Sequence, residues 1–262
     1  MSSILEFAAA KTAGRKLVIV TAYDAWSARL LADAPVDALL VGDSAMMVVH
    51  GERDTLGATT EIMALHTRSV ARGAPGKLIV ADMPFLAARK GSVYALDCAT
   101  ELLRAGAHAV KIEGVRGHGD VITHLVESGI PVMGHLGLTP QTVHTLGGFT
   151  VQARLEAAAA QLRIDAAALQ AAGCFALVLE CIPQELARTI SGELRIPTIG
   201  IGAGPGCDGQ VLVLHDLLGF NPSFRPRFVR RFADGAKLVR GGIAKYSTAV
   251  RGGKFPSRKE GF

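Results

Sequence analysis

The chain has 262 residues, of which 49% are hydrophobic, and a formal net charge of +5. This composition indicates a globular protein with a sizeable core and argues against intrinsic disorder. No apolar run reaches the about 20 residues that a membrane-spanning helix needs, and no basic segment precedes the short N-terminal apolar stretch, so neither a membrane span nor a secretory signal is predicted.

Short apolar, β-branched segments alternate with helix-like stretches along the chain. Eight of these segments are candidate strands: 16–24, 38–44, 77–83, 109–114, 131–137, 176–181, 197–204 and 210–216. Their apolar character is continuous, as in strands buried on both faces of a parallel sheet. Helices are predicted over 92–107, 151–172 and 184–194. Eight such units in about 250 residues favour one closed (β/α)8 TIM barrel over an open doubly wound sheet.

Two intervals depart from this rhythm. Residues 51–60 are too many for a tight loop, so they form a candidate active-site flap. The seventh and eighth strands are separated by too few residues for a full helix. The glycines Gly204, Gly206 and Gly209 match a dinucleotide-binding motif literally, but a strand-like run follows them at once, so we do not predict a dinucleotide site.

The last forty residues carry eleven of the basic side chains. Phe228, Phe232 and Val239 recur at roughly helical spacing, which predicts a docked helix with its charges outward. A nucleic-acid patch is the alternative, but no aromatic residues alternate with the basic ones as a stacking surface would require. We therefore expect one domain over residues 1–262, with a short N-terminal helical extension and a basic C-terminal helix or tail over about 221–262.

The four cysteines form no CxxC pair, so their spacing fits neither a zinc site nor a disulfide scaffold. They are Cys98, Cys174, Cys181 and Cys207. We expect reduced thiols in a cytoplasmic protein.

Polar side chains end most of the predicted strands, and the carboxyl ends of barrel strands meet at one mouth. These residues are Asp43, Ser44, Asp82, Lys111, Glu113, His135 and Glu180, with 200–206 and His215–Asp216 closing the ring. Carboxylates at close range repel one another unless a cation lies between them, and Mg²⁺ prefers carboxylate oxygens. Asp43, Asp82 and Glu113 belong to consecutive strands and are the predicted Mg²⁺ ligands.

Each acid could instead cap the helix that follows its strand, and Asp43–Ser44 has suitable residue types. Three coincident caps are less plausible than one metal site, whereas for Asp24, which ends the first strand, we prefer the capping interpretation. Lys111 could neutralise a substrate carboxylate or pair with Glu113, since both face the same way.

His135 is a second open case, because a lone strand histidine is often a satisfied core residue, although its small neighbours leave room for a ligand. Glu180 ends a very apolar strand, and burial there would raise its pKa toward the range of a general base. We therefore expect Glu180 to accept a proton.

At these residues the sequence resembles the ketopantoate hydroxymethyltransferase family. The matching segments are 21–24 (TAYD), 41–44 (VGDS), 66–68 (HTR), 81–85 (ADMPF), 110–114 (VKIEG), 134–141 (GHLGLTPQ), 146–148 (LGG), 178–180 (VLE), 199–204 (IGIGAG), 207–210 (CDGQ) and 215–216 (HD). The resemblance implies a phosphoenolpyruvate/pyruvate-type TIM barrel. It also implies the transfer of a hydroxymethyl group from 5,10-methylenetetrahydrofolate to 3-methyl-2-oxobutanoate for pantothenate synthesis.

The same resemblance implies roles for single residues and for self-association. One Mg²⁺ per subunit would be held by Asp43, Asp82 and Glu113. The oxo acid would contact Asp43, Ser44, Asp82, Lys111 and His135, and Glu180 would be the base. The family forms large homo-oligomers, and neither nucleic acid nor membrane is an expected partner.

The sequence departs from the family pattern at three places. Ala45-Met46-Met47 stands where the family usually has Leu-Gly-Met, and Gly57 stands where it usually has Pro. Thr150 and Ala153 replace a Lys and a Gly. Two other functions remain open: a related barrel lyase or mutase that uses the same metal, and a binding protein that uses the basic C-terminal segment on an acidic partner.

Overall fold

The centre of the computed structural model, which describes residues 3–262, is a closed barrel of eight parallel strands. The strands are β1 (Leu17–Thr21), β2 (Ala38–Val41), β3 (Leu78–Asp82), β4 (Ala109–Glu113), β5 (Val132–Gly137), β6 (Ala176–Glu180), β7 (Thr198–Ile201) and β8 (Gly209–Leu212). Each strand pairs with its neighbours in sequence, and β8 closes on β1, where Val18 is opposite Gln210. The predicted (β/α)8 barrel is confirmed.

Helices follow most strands. They are α1 (Ile4–Thr12), α2 (Ala25–Ala32), α3 (Ala45–Val48), α4 (Thr60–Gly73), α5 (Ser92–Arg104), α6 (Gly119–Glu127), α7 (Val143–Leu146), α8 (Glu156–Ala171), α9 (Gln184–Glu193), α10 (Leu214–Leu217) and α11 (Gly235–Arg251). The three predicted helices correspond to α5, α8 and α9. Residues 151–155 stay irregular, so α8 begins later than the sequence predicts.

The barrel interior is apolar at its amino-terminal end. Its side chains come from alternate strand positions: Leu17, Ile19, Ala38, Leu40, Leu78, Val80, Ala109, Met133, Ala176, Val178, Ile199 and Val211. Phe7 and Ala10 of α1 belong to the same cluster, and the Phe7 ring packs edge-on against Phe175 with centroids 5.4 Å apart. Helix α1 therefore covers this end of the barrel, while the carboxyl ends of the strands remain as the mouth.

The two intervals that depart from the strand–helix alternation in the sequence lack helices in the structure as well. Residues 51–59 contain no regular secondary structure. No helix lies between β7 and β8, and Gly209 is the first residue of β8. The dinucleotide motif needs a helix N-terminus at that point, and a strand begins there instead.

The eighth strand is shorter than expected. It ends at Leu212, and His215 and Asp216 lie on α10 instead of at a strand end. The apolar residues 211–214 continue the strand pattern in sequence, but the last of them already begins a helical turn. The prediction that His215 and Asp216 close the ring of strand ends is therefore wrong.

The chain divides into two units, one ending at Val213 and the other running from Leu214 to Phe262. In the second unit, α11 begins at Gly235, so Phe228 and Phe232 lie in irregular chain before this helix. Its only buried residue is Gly235, and apolar side chains such as Ile243 are exposed. The structure therefore has a helix within the predicted C-terminal range, but this helix begins later than Phe228.

Within residues 3–262, no helix combines the length and the apolar character that crossing a membrane requires.

Candidate active site

The mouth of the barrel is lined by polar side chains that continue the interior rows of the strands. The following residues occupy the same alternate positions as the apolar interior, one or two steps further along each strand: Asp82, Lys111, Glu113, His135 and Glu180. Asp43 and Ser44 follow β2, separated from it by Gly42. The fold therefore places all seven predicted site residues at one end of the barrel.

A buried cluster of charges forms around Lys111. Its Nζ lies 3.0 Å from Oδ1 of Asp82, 4.0 Å from Oε1 of Glu113 and 3.1 Å from Nδ1 of His135. The backbone N–H of Asp43 donates to Oδ2 of Asp82 at 3.0 Å. The structure therefore brings the three predicted metal ligands together, with Lys111 between two of them.

His135 links two carboxylates from neighbouring strands. Its Nδ1 lies 3.3 Å from Oε1 of Glu113, and its Nε2 lies 3.3 Å from Oε2 of Glu180. Burial and the Lys111 ammonium would lower the pKa of this imidazole, but the two carboxylates outweigh them and raise it to about 9. His135 is thus an element of the charged cluster and not an isolated core histidine.

Three carboxylates share this small volume, and their charges are only partly compensated. Burial, together with the charges of Asp82 and Glu113, raises the pKa of Asp43 well above its usual range. Burial alone would raise the pKa of Glu113, but His135 and Lys111 lower it below its usual value. Burial alone would lower the pKa of Lys111, whereas the surrounding carboxylates raise it. A further positive charge next to Asp43 would therefore stabilise the ionised form of this carboxyl.

The donor set suits a hard divalent cation because its available atoms are carboxylate oxygens. Among residues 3–262, no group of three or more His, Cys, Asp or Glu side chains is arranged so that it could hold a metal ion by itself. Mg²⁺ commonly takes only one or two protein carboxylates and completes its octahedron with water and substrate oxygens. The residues therefore fit Mg²⁺ as a partly solvated ion, and they do not form a closed cage.

Gln141 is the site residue that the sequence reasoning missed. It lies in the 3₁₀ turn Pro140–Thr142 after β5 and is buried. Its backbone N–H donates to Oε2 of Glu113 at 3.0 Å, and its side-chain amide donates to Oδ2 of Asp43 at 2.8 Å. Gln141 stands within a segment of the family resemblance, but a loop glutamine has no strand-end pattern to reveal its role.

The capping alternative holds for one acid and not for another. The carboxylate of Asp24 accepts from the backbone N–H groups of Trp26 and Ser27 at 3.0 and 2.8 Å, so it is the N-cap of α2 as predicted. Ser44 precedes α3 but makes no side-chain cap bond, and its hydroxyl instead lies 2.8 Å from the Tyr23 hydroxyl. The side chains of Asp43 and Ser44 are therefore not committed to capping.

Glu180 lies at the end of β6, where the surrounding backbone is tightly packed. Its side chain is 16% exposed, so it is partly buried. Gly137 packs so closely that a Cβ added there would clash with the carbonyl oxygen of Glu180. Cys181, the next residue, has a φ of +47°, a conformation that side-chain-bearing residues rarely adopt. The backbone is thus constrained directly at the predicted base.

Two of the departures from the family pattern contact each other. A Cβ added at Gly57 would lie 3.2 Å from the terminal methyl of Met46, which is buried. The larger residue in α3 therefore occupies the space that a larger residue at position 57 would need. At a third departure, Ala153 has a φ of +54°, which favours the glycine usual at that position.

Known proteins resemble this chain over its whole length. A family model described as ketopantoate hydroxymethyltransferase matches residues 2–258. A 3-methyl-2-oxobutanoate hydroxymethyltransferase of Bdellovibrio bacteriovorus is 48% identical over 262 residues, covering 100% of both chains. Its counterpart in Coxiella burnetii is 48% identical over 252 residues, covering 96% of this chain and 95% of that one.

A solved structure supports the same fold. It is 2,3-dimethylmalate lyase, a member of the PEP mutase/isocitrate lyase superfamily, with a TM-score of 0.59. The match covers 100% of this chain and 92% of that chain at 18% sequence identity, so it bears on the fold alone. The comparison agrees with the predicted (β/α)8 barrel fold.

Proposed function

The chain belongs to the ketopantoate hydroxymethyltransferase family, and we propose that it carries out that family's reaction with Mg²⁺ and 5,10-methylenetetrahydrofolate. The reaction is hydroxymethyl transfer to 3-methyl-2-oxobutanoate, which gives 2-dehydropantoate (ketopantoate) for pantothenate synthesis. The observation that carries the residue assignments is the cluster of buried carboxylates at the strand ends, beside a glutamate held by His135.

The first step is binding of the oxo acid and the ion. We assign Asp43, Asp82 and Glu113 to one Mg²⁺ per subunit, because these carboxylates lie together at the mouth and because burial and the charges of Asp82 and Glu113 disfavour an ionised Asp43 without a further cation. When bound, such an ion supplies Lewis-acid stabilisation of the charge that develops on the keto oxygen. Lys111 and Ser44 lie beside these acids and would hold the substrate carboxylate. The ion pair between Lys111 and Asp82 limits how far the Lys111 side chain moves.

The second step is removal of the C3 proton, which we assign to Glu180. Its carboxylate is partly exposed at the mouth, as contact with a substrate requires, and its contact with the His135 imidazole orients it. The proton passes to a carboxylate oxygen of Glu180, and the C–H electron pair moves toward the keto oxygen. His135 keeps the carboxylate in place during this transfer and lines the oxo-acid site.

The third step joins carbon to carbon. A bond forms between C3 and the methylene carbon of the folate, both bonds from that carbon to N5 and N10 of the folate break, and water supplies the hydroxyl oxygen. The C3 proton and one proton of the water pass to the two released nitrogens. The overall balance is oxo acid, methylenetetrahydrofolate and water giving ketopantoate and tetrahydrofolate. The oxo acid and methylenetetrahydrofolate would therefore both bind at the mouth of the barrel. The family match favours this transferase over a barrel lyase or mutase, and over the use of the basic C-terminal segment on an acidic partner.

Location and assembly follow the same proposal. All four cysteines are free and buried, which is compatible with the reducing cytoplasm expected from the sequence. Self-association into a homo-oligomer remains a prediction from the family resemblance. No role for nucleic acid or membrane is proposed.

A turnover assay tests the function directly. The purified chain is given 3-methyl-2-oxobutanoate, methylenetetrahydrofolate and Mg²⁺, and ketopantoate is measured. We expect product only when all three are present, with activity abolished by EDTA and restored by excess Mg²⁺. Turnover of the oxo acid without folate would support the lyase or mutase alternative, and activity that survives EDTA would contradict the metal assignment.

A further inference from the structure

Gln141 connects two carboxylates that come from distant parts of the chain. Asp43 follows β2 and Glu113 ends β4, and both are bonded to this one residue of the turn after β5. The backbone N–H of Gln141 donates a hydrogen bond to Glu113, and its side-chain amide donates one to Asp43. The turn can therefore fix the distance between the two acids.

The side-chain amide of Gln141 has a single favourable orientation. Its Nε2 donates to Oδ2 of Asp43 at 2.8 Å and to the carbonyl oxygen of Met83 at 2.9 Å. Both neighbours are acceptors, so turning the amide over would place its oxygen against two oxygens. Both N–H bonds are thus used, and the side chain is buried, which leaves it little freedom.

The hydrogen bonds of Gln141 involve only one oxygen of each carboxylate. They engage Oδ2 of Asp43 and Oε2 of Glu113, and Oδ1 of Asp43 accepts no hydrogen bond from Gln141. Residues that hydrogen-bond to metal-binding groups orient them, and their loss typically weakens metal binding by about 10- to 100-fold. The two hydrogen bonds of Gln141 have this arrangement.

We propose that Gln141 is a positioning residue that holds Asp43 and Glu113 in the geometry needed to bind Mg²⁺. This inference rests on the proposed metal site. It assigns Gln141 no contact with the ion or the substrate, and its effect passes through the two carboxylates.

Calorimetric titration of MgCl₂ into the metal-free protein, without substrates, tests this role. The variant Gln141→Met has a similar length but no donor in its side chain. We expect it to bind Mg²⁺ about 10- to 100-fold more weakly than the unaltered chain. Gln141→Asn, which is one methylene shorter, should weaken binding in the same direction and provides a second variant if the first folds poorly.

Gln161→Leu is the matched control. The amide of Gln161 also donates to an aspartate, Oδ1 of Asp165 at 3.0 Å, but it does so on α8. Its loss should leave Mg²⁺ affinity unchanged. Thermal unfolding in EDTA, measured for each variant, shows whether a loss of affinity is only a loss of fold.

A double-mutant cycle with Asp43→Asn separates positioning from general destabilisation. If Gln141 acts through Asp43, the two substitutions together weaken Mg²⁺ binding by less than the product of their separate effects. Unchanged affinity in both Gln141 variants, or fully multiplicative effects in the cycle, would overturn the inference while leaving the metal site intact. Absence of Mg²⁺ binding by the unaltered chain would overturn the metal site and the inference together.

Discussion

Nε2 of His135 lies 3.3 Å from Oε2 of Glu180. The other ring nitrogen lies 3.3 Å from Oε1 of Glu113, so one imidazole joins the proposed base to a proposed metal ligand. The contact with Glu113 follows from the barrel register, because His135 is paired opposite Glu113 across β4 and β5.

Replacing His135 by Asn should lower kcat more than it raises KM. Glu180 loses the donor that orients it, and misplacement of a catalytic group by about 1 Å can cost 100-fold, so we expect a loss of about 10- to 100-fold in kcat. Steady-state kinetics with varied oxo acid measure the split. His124→Asn, on α6, is the control and should leave both constants unchanged; equal kinetics in the two variants would disprove the orienting role.

The contact between Met46 and position 57 predicts coupled stability effects. Gly57→Pro alone should destabilise the protein, because the new side chain meets the Met46 methyl. In a Met46→Gly background the same change should cost less, with a coupling of about 0.5–3 kcal/mol, as for neighbouring residues in general. Urea unfolding of the two single variants and the double variant gives the coupling, and strictly additive free energies would show that the two departures are independent.

Ala153→Gly should stabilise the protein. Ala153 has a φ of +54°, where a residue with a Cβ pays roughly 1–2 kcal/mol relative to the right-handed region, whereas glycine does not. After the greater chain entropy of glycine is subtracted, we expect a gain of up to about 1 kcal/mol in the free energy of unfolding. Ala160→Gly, the same change within α8, should destabilise by about 1 kcal/mol. A loss of stability at position 153 would refute the strain.

The four thiols should be unreactive in the folded protein. All are buried, and burial raises the pKa of Cys174 and of Cys181 to about 12. The thiolate is the reactive form, so its fraction at pH 8 is negligible while the chain is folded. Ellman's reagent should titrate almost no thiol in the native protein and four in urea. Rapid modification of one cysteine before unfolding would contradict this burial.

Much of the site could be predicted because strand ends and barrel topology determine it. Asp82, Lys111 and Glu113 follow from their positions at the ends of apolar runs, since the carboxyl ends of barrel strands converge. Gln141 could not be found in this way. Its role depends on how the turn after β5 places it beside Asp43 and Glu113, and no strand-end pattern predicts the path of such a turn.

The start of the C-terminal helix could not be predicted for another reason. Helical spacing of Phe228 and Phe232 cannot distinguish a helix from irregular chain with scattered apolar residues, and the helix begins only at Gly235, after Asp234 caps it. His215 was misplaced because the run of apolar residues does not mark where β8 stops.

The proposed base is tested most directly by deuterium exchange at C3 of 3-methyl-2-oxobutanoate in D₂O with Mg²⁺ and without folate. Exchange collapses the methyl doublet of the substrate in the proton NMR spectrum. In Glu180→Gln we expect the exchange rate to fall by at least about 100-fold while the oxo acid still binds. Glu185→Gln, an exposed residue of α9, should exchange like the unaltered chain. Undiminished exchange in Glu180→Gln would contradict the assignment of Glu180 as the base.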